Sequence, residues 1–183
     1  MTSANGYCDS ALAWCPVPAL HRTNDRKITM SPITTALTPE LACTNLKISL
    51  AFYVGVLEFN VQYQRPEDGF AMLERQGSRI MLDEIRTSSV TGTDRTWLAA
   101  PIERPFGRGI NLQMETTNVD DLYAKVRAAK ADIFLPIEEK WYRADDVELG
   151  NRQFIVKDPD GYLLRFAEDL GSRPATRPSK LPL

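Results

Sequence analysis

From residue 40 onward the chain changes its hydrophobic period in a regular order. Glu40–Thr44 has the short apolar alternation of a strand, and Asn45 is placed to cap a helix. Leu46–Leu57 then sets Leu46, Leu50, Tyr53 and Leu57 on one helical face. Phe59, Val61 and Tyr63 alternate with polar residues as far as Gln64, which predicts a strand with one buried side. Glu67-Asp68-Gly69 turns the chain into Phe70–Glu74, and Gln76-Gly77 turns it again into Arg79–Glu84.

The same order then returns. Ile110–Thr116 reads as a strand and Asn118 as a helix cap, with Asp121 in the first turn and Val119, Leu122, Val126 and Ala129 as the buried stripe. Ile133–Leu135 and Arg152–Val156 are short strands separated by a polar insertion, Ile137–Asn151. Asp158-Pro159-Asp160-Gly161 is a turn with a visible mechanism: proline fixes φ, aspartate bonds locally, glycine permits positive φ. Tyr162–Ala167 closes the unit. Two passes of strand, helix and three strands predict an α+β fold of two βαβββ modules, residues 37–85 and 109–169.

The flanking segments lack either period. Residues 1–36 predict a disordered extension, with Met30 a candidate start of the functional protein, and residues 170–183 a disordered tail. The linker 86–108 is long for a compact domain and carries Trp97, Pro101 and Pro105, which argues for either a function or an error in the element assignment.

Composition narrows the classes. A net charge of -2 gives no electrostatic reason to expect nucleic acid. No apolar run is long enough to span a membrane, and Ala11–Leu20, broken by Pro16 and Pro18, is a poor signal peptide. Cys8, Cys15 and Cys43 cannot all pair and match no zinc spacing, which suits reduced thiols in the cytoplasm.

Asn45-Leu-Lys-Ile-Ser-Leu-Ala-Phe-Tyr53 with Gly55-Val-Leu-Glu-Phe59 resembles the first helix of the glyoxalase/bleomycin-resistance/dioxygenase (vicinal oxygen chelate) superfamily. Arg152-Gln-Phe-Ile-Val-Lys-Asp-Pro-Asp-Gly-Tyr-Leu-Leu-Arg-Phe166 resembles its last hairpin, nearest to the bleomycin-resistance branch. The resemblance implies that the two modules form a curved mixed sheet with a cleft, and that the protein is a homodimer with paired clefts. In enzymatic members it also implies a divalent metal acting as Lewis acid on vicinal oxygens. It places Thr38, Met81, Asn111 and Arg165 at the ligand positions, a poor set for a hard ion, and the single histidine is His21 in the leader. No metal and no cofactor are therefore expected, and a carboxylate set of Asp83, Glu84 or Glu148 is the remaining metal option.

What the resemblance then implies is a metal-independent protein that binds and sequesters a bleomycin-type antibiotic through aromatic stacking and carboxylates near the drug's cationic tail. The alternatives are a lyase, isomerase or dioxygenase with an atypical metal site, and a small-molecule sensor or immunity partner. Candidate ligand-binding residues are Phe70, Trp97, Trp141, Tyr142, Arg143, Glu148, Phe154 and Arg165. Each has a structural reading beside it. Phe70 and Phe154 suit a core, Trp97 an interface anchor, and the charges of the insertion a solvated surface. A Trp shortly before the Arg152 strand, expected of a bleomycin binder, is replaced by Leu149-Gly150-Asn151. Arg165 on an inward strand face needs either a carboxylate partner or an anionic ligand.

Overall fold

In the computed structural model, which describes residues 37–85, 98 and 100–175, each repeat folds into a four-stranded mixed sheet with one helix. The first contains β1 (Glu40–Cys43), α1 (Leu46–Gly55), β2 (Asn60–Arg65), β3 (Phe70–Arg75) and β4 (Ser78–Glu84). The second contains β5 (Asn111–Glu115), α2 (Val119–Ala128), β6 (Ile133–Ala144), β7 (Val147–Lys157) and β8 (Leu163–Pro174). Strand orders are β1-β4-β3-β2 and β5-β8-β7-β6. In each, the first strand is parallel to the last and the other pairs are antiparallel. This is the α+β, two-module architecture that the alternation of periods predicts.

The repeat extends to single hydrogen bonds. A helix leaves its first N–H groups without internal acceptors, and both modules fill that need with a glutamate at the end of their last core strand pairing. Leu46 N–H donates to Glu84 Oε2 at 3.3 Å, and Val119 N–H to Glu168 Oε2 at 3.0 Å. Asn45 also caps α1 as expected, its Oδ1 accepting from Ile48 N–H at 3.0 Å. Asn118 does not cap α2 with its side chain. Its Oδ1 accepts instead from Arg75 Nη2 at 2.9 Å, a demand set by the other module.

The two modules share one core. Tyr53, Leu57, Phe59, Leu73 and Leu82 from the first pack in a single cluster with Val119, Leu122, Val126, Phe154 and Phe166 from the second. Each module's terminal hairpin reaches the beginning or flank of the other's helix. Asp158 Oδ2 accepts from the buried Tyr53 hydroxyl at 3.0 Å, and Asp160 Oδ1 from the Thr44 hydroxyl at 2.6 Å. In return the buried Arg75 donates to Thr116 Oγ1 at 3.0 Å and lies over the Phe166 ring. Burial holds the Tyr53 phenol well above its ordinary range, with Asp158 adding to the effect.

Four expectations need correction. Val61 and Tyr63 are each 40% exposed, because β2 is the outer strand of its sheet and slips register between them. Ala129 lies beyond the end of α2 and is exposed. The insertion Ile137–Asn151 is not a loop: β6 and β7 continue through it as an antiparallel ribbon that turns at Asp145 and Asp146. β8 also runs past the boundary expected at residue 169, pairing Ser172, Arg173 and Pro174 with Leu149, Glu148 and Val147. The part of the linker that is described is docked rather than free. Phe106 is buried against Tyr162, its N–H donating to Asp160 carbonyl oxygen at 2.8 Å. That approach requires Gly161, where φ is 99° and an added Cβ would stand 2.4 Å from Pro105 Cβ.

The ribbon is held by one tight contact. Trp141 sits opposite Gly150, where a Cβ would come within 2.7 Å of the indole. The Arg173 guanidinium carbon lies 4.0 Å from the indole centroid and Arg173 Nε donates to Glu148 Oε2 at 2.7 Å.

Two stability changes follow from these contacts. Asp158 Oδ1 accepts from the N–H groups of Asp160, Gly161 and Tyr162, so Asp158→Ala strips several buried donors at once. It is expected to cost about 3 kcal/mol in urea unfolding, against about 1 kcal/mol for Tyr53→Phe, which removes one bond. Gly150→Ala is expected to cost about 2 kcal/mol by driving Trp141 from its seat. A near-ultraviolet dichroism spectrum unchanged by Gly150→Ala would show that the seat is not formed.

Candidate functional site

The outer faces of the two sheets, turned away from the shared core, carry the chemistry. Strand alternation decides which residues reach them. On the first sheet, Ile80 and Leu82 of β4 belong to the core cluster, which leaves Met81 and Asp83 on the other side. Asp83 pairs across the sheet with Phe70, which is buried yet outside the core cluster. Phe70 stacks with Tyr63 at 5.9 Å between centroids, and Arg65 lies 3.9 Å over its ring.

Next to Asp83, at the β1 edge, opens a groove of about 630 Å³. The described stretch of the linker forms its far wall. Ile85, Ile102 and Phe106 give it apolar surface, while Glu40, Asp83, Glu84 and Glu103 bring carboxylates. One basic side chain, Arg108, also lines it, but its guanidinium donates to the carbonyl oxygens of Glu103, Arg104 and Pro105. Burial, then the charge and hydrogen bond of Asp83, push the Glu40 carboxyl above its ordinary range. Two carboxylates so placed favour a cation between them and apolar matter beside it.

On the second sheet, Arg165 of β8 lies opposite Gln113 of β5 and Ile155 of β7, all outward. Tyr142 of β6 comes over this face. Its hydroxyl accepts from Gln153 Nε2 at 2.7 Å and, at a long 3.5 Å, from Arg165 Nη1. Gln153 Nε2 also donates to Glu138 Oε1 at 3.0 Å.

The predicted site residues are thus divided. Tyr142 and Arg165 meet on one face, and Phe70 lies on the outer face of the other sheet. Trp141 and Arg143 point to the side of the ribbon opposite Tyr142, since consecutive strand residues alternate. Trp141 is covered by Gly150 and Arg173, Glu148 pairs with Arg173, and Arg143 Nε donates to Asp145 carbonyl oxygen at 3.0 Å. Phe154 is fully buried between Tyr123 and Phe166 and is a core residue. Trp97 lies outside the described residues. Gln153, Glu138 and Glu40 are absent from the predicted set. Gln153 gives no signal in the linear pattern, because its partners Glu138 and Tyr142 come from the neighbouring strand.

A divalent ion does not fit the four positions that the resemblance assigns to it. Register sets Met81 opposite Glu40, and Arg165 opposite Gln113. A thioether and a guanidinium there, with Thr38 and Asn111, offer no anionic donor. Among the described residues no group of three or more His, Cys, Asp or Glu could hold a metal ion. No helix among them is long and apolar enough to cross a membrane.

Several solved structures are similar to this chain. TioX from Micromonospora sp. ML1 is 26% identical, with a TM-score of 0.54 over 74% of this chain and 99% of that one. A glyoxalase/bleomycin resistance protein/dioxygenase superfamily member from Vibrio splendidus 12B01 is 36% identical over 71% of this chain and 95% of that one, with a TM-score of 0.31. A lactoylglutathione lyase from Agrobacterium tumefaciens shares the fold at 14% identity and a TM-score of 0.50, over 75% of this chain and 96% of that one. No curated protein matches. The family model for the Glyoxalase/Bleomycin resistance protein/Dioxygenase superfamily matches residues 35–166, and the chain belongs to that superfamily.

Proposed function

We propose that this superfamily member is a metal-independent small-molecule binding protein, acting in the cytoplasm as a homodimer and sequestering a bleomycin-type glycopeptide antibiotic. The observation that carries the reading is the groove beside β1, where carboxylates and apolar walls meet in about 630 Å³. That volume lies in the range of drug-sized sites. A cationic tail would sit between Glu40 and Asp83, with its apolar neighbour against Ile85 and Ile102. Tyr63, 40% exposed where it stacks on the buried Phe70 on the same sheet as Asp83, offers a further aromatic surface for a flat heteroaromatic. The superfamily's metal-dependent lyases, isomerases and dioxygenases are the weaker comparison, since the four ligand positions hold no anionic donor.

Calorimetric titration of chelator-treated protein with metal-free and copper-loaded bleomycin tests the reading. Sub-micromolar binding near one ligand per protomer is expected, with Glu40→Gln and Asp83→Asn each weakening it about tenfold. Absence of heat at high micromolar drug would sink the antibiotic reading and leave the fold untouched. Light scattering behind size exclusion tests the homodimer, for which a monomer mass would be decisive against.

The same groove sets a pH dependence. Cation binding needs the carboxylates ionised, and Glu40 keeps its proton to a higher pH than the ordinary 4.5. Affinity is therefore full near neutral pH and falls as pH drops through the raised Glu40 value, with proton release on binding at the low end. Glu40→Gln should flatten that fall. An identical pH profile in wild type and Glu40→Gln would show that Glu40 does not face the ligand.

A further inference from the structure

The outer face of the second sheet poses a separate problem. Arg165 is half-buried, and no carboxylate among the described residues lies within ion-pair distance of it. Its Nε is buried and has no hydrogen-bond partner. Gln153, only 1% exposed, has spent both amide hydrogens on Tyr142 and Glu138, and its Oε1 is buried without a partner. Tyr142 hydroxyl accepts twice, which leaves its own hydrogen to donate elsewhere. One face thus holds an orphan cationic donor, an orphan acceptor and a free phenolic hydrogen. Orphaned buried groups are costly and rare in a finished structure.

We propose that this face binds a small carboxylate bearing a hydroxyl on the adjacent carbon. The ligand's carboxylate accepts from Arg165 and from the Tyr142 hydroxyl. Its hydroxyl donates to Gln153 Oε1. Each unmet group then has a partner of the right sense, and a guanidinium supplies the positive charge that neighbouring ligand oxygens need. Tyr142, 38% exposed, is the side chain that must swing aside for entry. The site is independent of the acidic groove, whose charge is of the opposite sign, so either proposal can fail without the other.

Nitrogen-15 NMR of the full chain, observing the Arg165 Nε–H resonance during titration with glycolate and with acetate, tests the site. A saturable shift with glycolate in the millimolar range is expected, with acetate about tenfold weaker for want of the donor to Gln153. Arg165→Met, followed through the Gln153 side-chain amide resonances instead, should abolish the saturable glycolate response. Gln153→Leu should equalise the two acids, and Tyr142→Phe, on an exposed side chain that leaves the fold intact, should weaken both several-fold. Equal shifts from glycolate, acetate and chloride in the unaltered protein would reduce the site to an adventitious ion only and overturn the proposal. So would no shift up to tens of millimolar glycolate. A resonance that moves with protein concentration and ignores glycolate would mean that a second copy's carboxylate occupies Arg165, which also overturns it.

Discussion

The Tyr53 hydroxyl donates to Asp158 deep inside the protein, and the placing of the acidic groove depends on that bond. It ties the helix of one module to the hairpin turn of the other. The same carboxylate gathers the three N–H groups of the turn, so the turn cannot shift without releasing the helix. Asp160, held in that turn, accepts from Thr44 at the end of β1 and gives its carbonyl to Phe106. The wall of the acidic groove is therefore set by a turn belonging to the opposite module.

Arg75 completes the exchange from the other side. Its guanidinium is buried, takes Thr116 and Asn118 as acceptors, and is held below its ordinary range by burial. A buried cation without a carboxylate in hydrogen-bond contact is expensive, and the Phe166 face beneath it offsets part of that cost. Each module thus spends a polar side chain on the other's helix. The outer faces lie away from those braces, and there the buried Nε of Arg165 is left without a partner.

The fold was largely legible in the sequence because its signals are local. Asn45, the Gln76-Gly77 turn and Asp158-Pro159-Asp160-Gly161 each announce themselves within four residues, and the helix stripes repeat at their own period. The ribbon was not legible. Beyond Ile137, which packs against the core, residues 138–151 mix polar and apolar side chains on both sides of the ribbon, and their strand character comes from partners across the sheet. Missing that strand made Trp141, Tyr142 and Arg143 look like one cluster when the backbone sends them to opposite sides. Gln153 and Glu40 were hidden for a related reason: their meaning lies in which side chains stand across the strand from them, and a linear reading does not carry register. Trp141 looked unemployed because its partner is a glycine, whose contribution is an empty space.

The matched glutamates at the two helix starts, Glu84 and Glu168, mark the halves as copies of one ancestral unit. The braces between them are not copies: one half contributes an arginine, the other a pair of aspartates. Divergence has made the halves complementary instead of interchangeable. A gene cut between them would yield two fragments, one carrying a phenol with no acceptor and the other an acidic turn with no helix to hold. Each fragment would need the other to satisfy those groups, so the halves work as a matched pair and not as two interchangeable repeats.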